Sequence, residues 1–159
     1  HDETLNRTTG ASGRVPDRSL AELRQLDVGR WRSPAFAGER VATLADALAT
    51  VPAGKRALIE VKCGPEVVPE LDRVLTASGL APQRTTVISF SADVVAAVKQ
   101  RRPDVPAYWV VDLDERPRTA EELIAVAKSI AADGLDLSAT PEVLDAVFAG
   151  KVLASGLRL

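Results

Sequence analysis

One histidine, one cysteine and no methionine occur in a chain of 159 residues. The lone cysteine, Cys63, cannot close an internal disulfide, so the fold does not depend on an oxidising compartment. Cys63 reads instead as a small packed side chain. No apolar run approaches the ~20 residues that a membrane-spanning helix needs, and no secretory leader is visible. The chain lacks an initiator methionine, so the missing leader carries no information and localisation cannot be read. Charge of one sign is also lacking: 20 Lys and Arg face 22 Asp and Glu, a net charge of −2. The arginines are scattered and form no stripe. There is therefore no electrostatic case for binding nucleic acid or an anionic membrane. Repeats, low-complexity stretches and interdomain linkers are absent, which predicts a single domain over residues 1–159.

What remains is an ordinary globular composition, 46% hydrophobic and 26% charged. The length suffices for one domain with a core, but falls short of a complete (β/α)₈ barrel of ~250 residues. The order of elements can be read from periodicity and punctuation. Asp17 is the expected N-cap of a helix with Leu20, Leu23 and Leu26 as its apolar stripe. Gly29 to Gly38 reads as a loop. Thr43 is expected to cap the next helix, which carries Leu44, Leu48 and Val51 and stops at Pro52.

From there strands and helices alternate. Strands are expected over 57–62, 85–90, 105–111 and 135–137. The intervening helices carry Val68, Leu71 and Leu75, then Val94, Val95 and Val98, then Leu123, Val126 and Ile130. Gly79 should close the first of these helices, and Thr119 with Glu122 has the form of a capping box. Thr140-Pro141 is expected to start a last helix. Residues 157–159 look like the beginning of another strand. No tight hairpin signal interrupts the series, so the pattern predicts an α/β fold of βα units around a parallel sheet. Phe90, Tyr108 and Trp109 are expected in the core, with a place at the mouth of the fold as the alternative for Phe90.

Glu60 and Lys62 stand out. Side chains two apart in a strand share a face, so Glu60 and Lys62 point one way while Ile59 and Val61 point the other. If Ile59 and Val61 meet the helices, two charges face the sheet's other side. Desolvating them is costly unless they are paired or bound to a ligand. Spacing alone leaves two readings open: an ion pair that fills a polar centre, or a functional pair at the C-terminal end of a strand.

The first ten residues run His1-Asp2-Glu3-Thr4-Leu5-Asn6-Arg7-Thr8-Thr9-Gly10. A terminal histidine could be a tag remnant, but a tag would not supply the phrase that follows it. HD-x-T-L-x-RTTG resembles the signature of the glycerophosphodiester phosphodiesterase family, and Ile59-Glu60-Val61-Lys62 resembles that family's IE-[IV]-K motif. Further segments extend the resemblance: Leu26-Asp27-Val28-Gly29, Val41-Ala42-Thr43-Leu44, and Ser89-Phe90 with Arg102-Pro103 beyond it.

The resemblance implies a TIM-type (β/α) barrel, incomplete in this chain. It implies His1 as the catalytic acid/base, Glu60 as a ligand of a divalent cation (Mg²⁺ or Ca²⁺) and Lys62 as the group facing the substrate phosphate. Asp2 would orient the imidazole or hold the loop, and Arg7, Thr8 and Thr9 would stabilise that loop. The family's upstream HRG and Glu-x-Asp motifs and its later WTVN strand are not among the 159 residues. The chain is therefore expected to be an internal portion of the domain, with N- and C-terminal strands absent and its strand edges left unpaired or covered in an oligomer.

The implied reaction is metal-dependent hydrolysis of a glycerophosphodiester, a small-molecule partner, to glycerol 3-phosphate and an alcohol. Two alternatives are carried beside it. One is a non-catalytic barrel module that binds phosphodiesters or protein partners. The other is a lysophospholipase D-like activity at the same site.

Overall fold

The computed structural model describes residues 2–138 and 144–159. The described residues fall into two compact units, one ending at Thr50 and the other starting at Val51.

The first unit is built from loops pinned by short helices. An antiparallel bridge joins Thr4 to Arg14, and the buried Leu5 donates its N–H to the Gly13 carbonyl at 3.0 Å. A single-turn helix, α1 (Asn6–Thr9), ends at Gly10, whose φ of 72° needs a residue without a Cβ. Helix α2 (Leu20–Leu23) is capped by Ser19 and not by Asp17. Asp17 instead closes a 3₁₀ turn, Val15–Asp17, set up by the fixed φ of Pro16. Ser19 wins because Glu22 sits three residues on and returns its carboxylate to the Ser19 N–H, completing a capping box. The expected stripe is shallow: Leu20 is exposed while Leu23 and Leu26 are half-buried. Helix α3 (Leu44–Ala49) is capped by Thr43 as expected, with Asp46 completing its box and Leu48 buried.

The second unit alternates strand and helix: β1 (Ala57–Glu60), α4 (Val68–Ser78), β2 (Thr85–Ser89), α5 (Ala92–Arg101), β3 (Ala107–Asp112), α6 (Ala120–Ser129), β4 (Gly134–Ser138) and α7 (Ala146–Ala154). The four strands form one parallel sheet in the order β1-β2-β3-β4. Neighbours in sequence are neighbours in space, the winding of a TIM-type barrel, here incomplete. The helices that join these parallel strands cover one face of the sheet. Burial agrees: Val87, Ala107 and Leu135 on that face are buried, whereas Leu58 on the other is 63% exposed.

Two of the expected signals in this unit fall where the sequence puts them. Gly79 ends α4 with φ of 67°, and Thr119 and Glu122 cap α6 reciprocally. Asp72 on α4 accepts from Arg101 at 2.7 Å and Arg102 at 3.0 Å, which ties α4 to the end of α5. The expected helix start at Thr140-Pro141 lies outside the described residues; α7 begins at Ala146, capped by Asp145. The strand expected over 157–159 does begin to pair. Arg158 bridges Gly134 in parallel, and Leu135 donates to the Arg158 carbonyl at 2.9 Å. A Cβ at Gly134 would sit 2.8 Å from that carbonyl oxygen, so the approach requires glycine there.

Candidate active site

Strand β1 delivers Glu60 and Lys62 to the C-terminal end of the sheet. Val61 between them is buried, while both charged side chains lie on the face that the helices leave uncovered. Lys62 Nζ lies 3.6 Å from Glu60 Oε2, with 44% and 28% of the two side chains exposed. A long, part-solvated pair of this kind adds little stability.

The end of β1 is fixed by its neighbour. Val61 donates its N–H to the Ile88 carbonyl at 2.9 Å, and the buried Ser89 hydroxyl donates to the Val61 carbonyl at 2.7 Å. Ser89 Oγ also accepts from the Ser91 N–H at 3.2 Å. On the other side of β2 the Trp109 indole donates Nε1–H to the Phe90 carbonyl at 3.1 Å. Phe90 is thereby presented at the strand end and is 60% exposed. The core expectation for Phe90 fails, because β2 ends before it and its ring follows the uncovered face. Trp109 is buried as expected, with the Arg118 guanidinium 5.5 Å from its ring centre. Phe90, Trp109, Asp112, Arg116 and Arg118 line a cavity of about 290 Å³ at the ends of β2 and β3. A larger hollow of about 470 Å³ lies among Pro65, α5 and the residues ending α6.

Cys63 follows the pair and is exposed, not packed as the sequence suggested. It lies beyond the last residue of β1, in the loop leading to Gly64, where no neighbouring strand covers it.

The opening motif belongs to the first unit, and its His1 lies outside the described residues. Asp2 is held by Arg7 in a two-point pair, Nε to Oδ2 at 2.6 Å and Nη2 to Oδ1 at 3.0 Å. The carboxylate beside Arg7 raises the guanidinium's pKa above its ordinary value. The Thr9 hydroxyl donates to the Leu5 carbonyl at 2.7 Å and accepts from the Ala11 N–H at 3.0 Å. Arg7 and Thr9 thus hold the loop.

Nearby, Asp27 gathers three backbone N–H groups. Its Oδ1 takes Gly29 and Arg30, each at 2.9 Å, and its Oδ2 takes Gly38 at 2.8 Å. These bonds favour the ionised form and hold the Asp27 pKa down to about 2. A Cβ at Gly29 would run into the Phe36 carbonyl, so the loop can close only over glycine.

Among the described residues no group of three or more His, Cys, Asp or Glu side chains gathers in a way that could hold a metal. Glu60 offers one carboxylate at the strand end, beside an ammonium. Hard divalent cations take six or more oxygens, so the described residues do not complete such a site.

The glycerophosphoryl diester phosphodiesterase family model matches residues 1–151. The chain belongs to that family. A glycerophosphodiester phosphodiesterase of Bacillus subtilis is 27% identical over 148 residues, covering 82% of this chain and 50% of its own length. One from Caldanaerobacter subterraneus subsp. tengcongensis is 39% identical over 77 residues, which is 47% of this chain and 31% of that protein. Among solved structures, an Oleispira antarctica phosphodiesterase in complex with the product sn-glycerol-3-phosphate superposes with a TM-score of 0.83 at 24% identity, covering 99% of this chain and 63% of that one. A glycerophosphodiester phosphodiesterase from Agrobacterium tumefaciens gives 0.74 at 24% identity, covering 99% and 64%. The chain therefore spans half or less of these curated relatives and under two thirds of the two solved chains.

Within this family member the sequence located the Glu60–Lys62 pair. It missed the buried hydroxyl of Ser89 and the Arg7 guanidinium 4.8 Å from the centre of the Trp31 ring. Only the placement of Ser89 at a strand end hinted at the first. Nothing local signals the second.

Proposed function

We propose that the protein containing this chain hydrolyses glycerophosphodiesters to glycerol 3-phosphate and an alcohol. The observation that carries this is the Glu60–Lys62 pair, held at the C-terminal strand ends on the uncovered face of a family-member sheet. Catalytic groups of barrel enzymes sit at such strand ends. The Oleispira antarctica relative, with sn-glycerol-3-phosphate as its bound product, supports the substrate class.

In this reading the Lys62 ammonium faces the phosphodiester and offsets charge that builds on its oxygens. His1 delivers a proton to the departing alkoxide, a role suited to an imidazole with a pKa near ~6.5. Glu60 serves as one oxygen ligand of a divalent cation, Mg²⁺ or Ca²⁺. Such a cation, when bound, polarises the phosphoryl oxygens. Among the described residues Glu60 is the single ligand assigned to it.

The test is release of glycerol 3-phosphate from glycerophosphocholine and glycerophosphoethanolamine by the full-length protein, with Mg²⁺ or Ca²⁺ and with chelator. Release that needs the cation and falls in Glu60→Gln supports the reading. A folded full-length protein that binds these diesters without cleaving them replaces it with the non-catalytic module. Free choline or ethanolamine released faster from lysophospholipids than from glycerophosphodiesters points to the lysophospholipase D-like alternative.

A further inference from the structure

The cavity of about 290 Å³ at the ends of β2 and β3 lies beside the candidate site, within the same unit. Trp109, Asp112, Glu115, Arg116 and Arg118 line it from β3 and the loop that follows, and Phe90 lines it from the end of β2. Glu60 is level with Ile88 across the β1–β2 ladder, so two residues on, Lys62 and Phe90 follow at neighbouring strand ends. Neighbouring strands run about 5 Å apart. A phosphodiester held at Lys62 therefore has one ester arm within reach of Phe90 and of the space beyond it.

The charged groups of this cavity do not neutralise one another. The Arg118 guanidinium lies 5.5 Å from the centre of the Trp109 ring, and that indole is pinned by its Nε1–H on the Phe90 carbonyl at 3.1 Å. Stacking limits the tilt of the guanidinium and leaves its N–H fork for an acceptor. Among the described residues neither Arg116 nor Arg118 forms an ion pair. Asp112 is committed to the turn: its Oδ1 accepts from the N–H groups of Asp114 at 3.0 Å and Glu115 at 3.1 Å. The Glu115 carboxylate has no side-chain partner among the described residues. Two guanidiniums in this state suit a carboxylate in forked contact. A free carboxylate beside them favours a ligand that also carries positive charge, and disfavours one that is only negative.

From this geometry we infer that the cavity takes the alcohol arm of the diester and selects an alcohol bearing both a carboxylate and an ammonium, as serine does. Arg116 and Arg118 hold the carboxylate, Glu115 faces the ammonium, and Trp109 keeps Arg118 in plane. The inference rests on the hydrolytic reading of the Glu60–Lys62 site. It makes the two arginines specificity-determining residues, because they meet the departing alcohol away from the bond that breaks.

Glycerophosphoserine and glycerophosphoethanolamine differ only in the serine carboxylate, so the ratio of their kcat/KM values isolates that contact. The ratio is measured with the full-length protein and Mg²⁺ or Ca²⁺, for the parent and for Arg116→Ala, Arg118→Ala, Arg118→Lys and Glu115→Gln. The parent is expected to favour glycerophosphoserine by ~10- to 100-fold, the usual effect of hydrogen bonds to a charged group. Arg116→Ala and Arg118→Ala should each lower the ratio by roughly 10-fold, and Arg118→Lys, which keeps charge without the fork, should restore only part of it. Glu115→Gln should lower kcat/KM for both amino diesters relative to glycerophosphoglycerol, whose alcohol is uncharged. Both arginines are exposed, so their replacement leaves the core untouched.

A parent that cleaves the serine and ethanolamine diesters with equal kcat/KM, or arginine variants that leave the ratio unchanged, overturn the assignment of the cavity and leave the hydrolytic reading standing. Amino diesters unaffected by Glu115→Gln overturn the ammonium contact. A folded parent that cleaves none of these diesters overturns the hydrolytic reading itself, and the assignment of the cavity falls with it.

Discussion

The Ser89 hydroxyl donates a hydrogen bond of 2.7 Å to the carbonyl of Val61, the residue that separates Glu60 from Lys62. A side chain of β2 thus holds the backbone of β1 at the point where the two charged groups emerge. The bond is buried, so its loss leaves a carbonyl without its side-chain partner away from water.

Ser89→Ala is therefore expected to destabilise the protein by about 1–2 kcal/mol. Turnover should also fall at temperatures where the variant is fully folded, because the strand end carrying the pair is less fixed. Chemical denaturation and steady-state kinetics on the same preparation check both halves. A variant with wild-type midpoint and wild-type kcat would show that the backbone ladder alone sets the strand end.

The three proposed roles separate by mutation in the full-length protein. Glu60→Gln keeps shape and removes charge, so cation affinity and turnover should drop together. His1→Ala should leave cation affinity nearly unchanged and lower kcat by ~10²–10⁴-fold, the usual contribution of a general acid/base. Lys62→Ala should weaken substrate binding and turnover together, by amounts between the other two. Isothermal titration with Mg²⁺ or Ca²⁺ alongside kinetics reads all three, and a Glu60→Gln variant with intact cation affinity removes Glu60 from the ligand set.

Acid should loosen the loop around Asp27. Its carboxyl pKa is held down from 3.8 to about 2 by three backbone N–H donors. A group whose folded pKa is depressed contributes stability above its unfolded value and loses it as pH falls through the folded one. Asp27→Asn should therefore be less stable than the parent above about pH 4, with the gap closing between about pH 4 and pH 2. Urea midpoints across that range test the sign. A constant gap would mean that shape, not charge, holds the loop.

Lys99 offers a contrast with the candidate site. Its side chain is only 9% exposed, pairs with Asp133 at 2.8 Å and donates to the carbonyls of Pro103 and Val105 at 2.8 and 3.2 Å. Asp133 in turn accepts from the Ala107 N–H at 2.9 Å, at the N-terminal end of β3. Lys99→Met is expected to cost about 1–3 kcal/mol, discounted for the part-exposed Asp133, while kcat per folded molecule stays unchanged. A selective loss of kcat would give this buried lysine a role in turnover that its position opposes.

Much of the chain was legible where its signals are local. Helix starts at Thr43 and Thr119 and the stop at Gly79 are written in residues one to three apart, and capping needs no distant partner. Ser19 was passed over for Asp17 although its capping partner Glu22 lies at the same short spacing. Period-two alternation put Glu60 and Lys62 on one face and Val61 on the other, and the structure keeps that division. Phe90 and Cys63 were misjudged because residue type records average burial. Exposure depends on where a strand stops and which face its helices cover.

The sequence by itself determined the α/β alternation, the caps, the shared face of Glu60 and Lys62 and the family resemblance carried by the opening motif and the IEVK strand. Each of these is encoded over a few neighbouring residues, where backbone geometry fixes what can meet. Only the tertiary structure decided the strand order β1-β2-β3-β4, the hydroxyl of Ser89 on Val61 and the stacking of Trp31 on Arg7. Those partners lie far apart along the chain. Their meeting depends on how loops close and strands align, for which no local spacing leaves a mark.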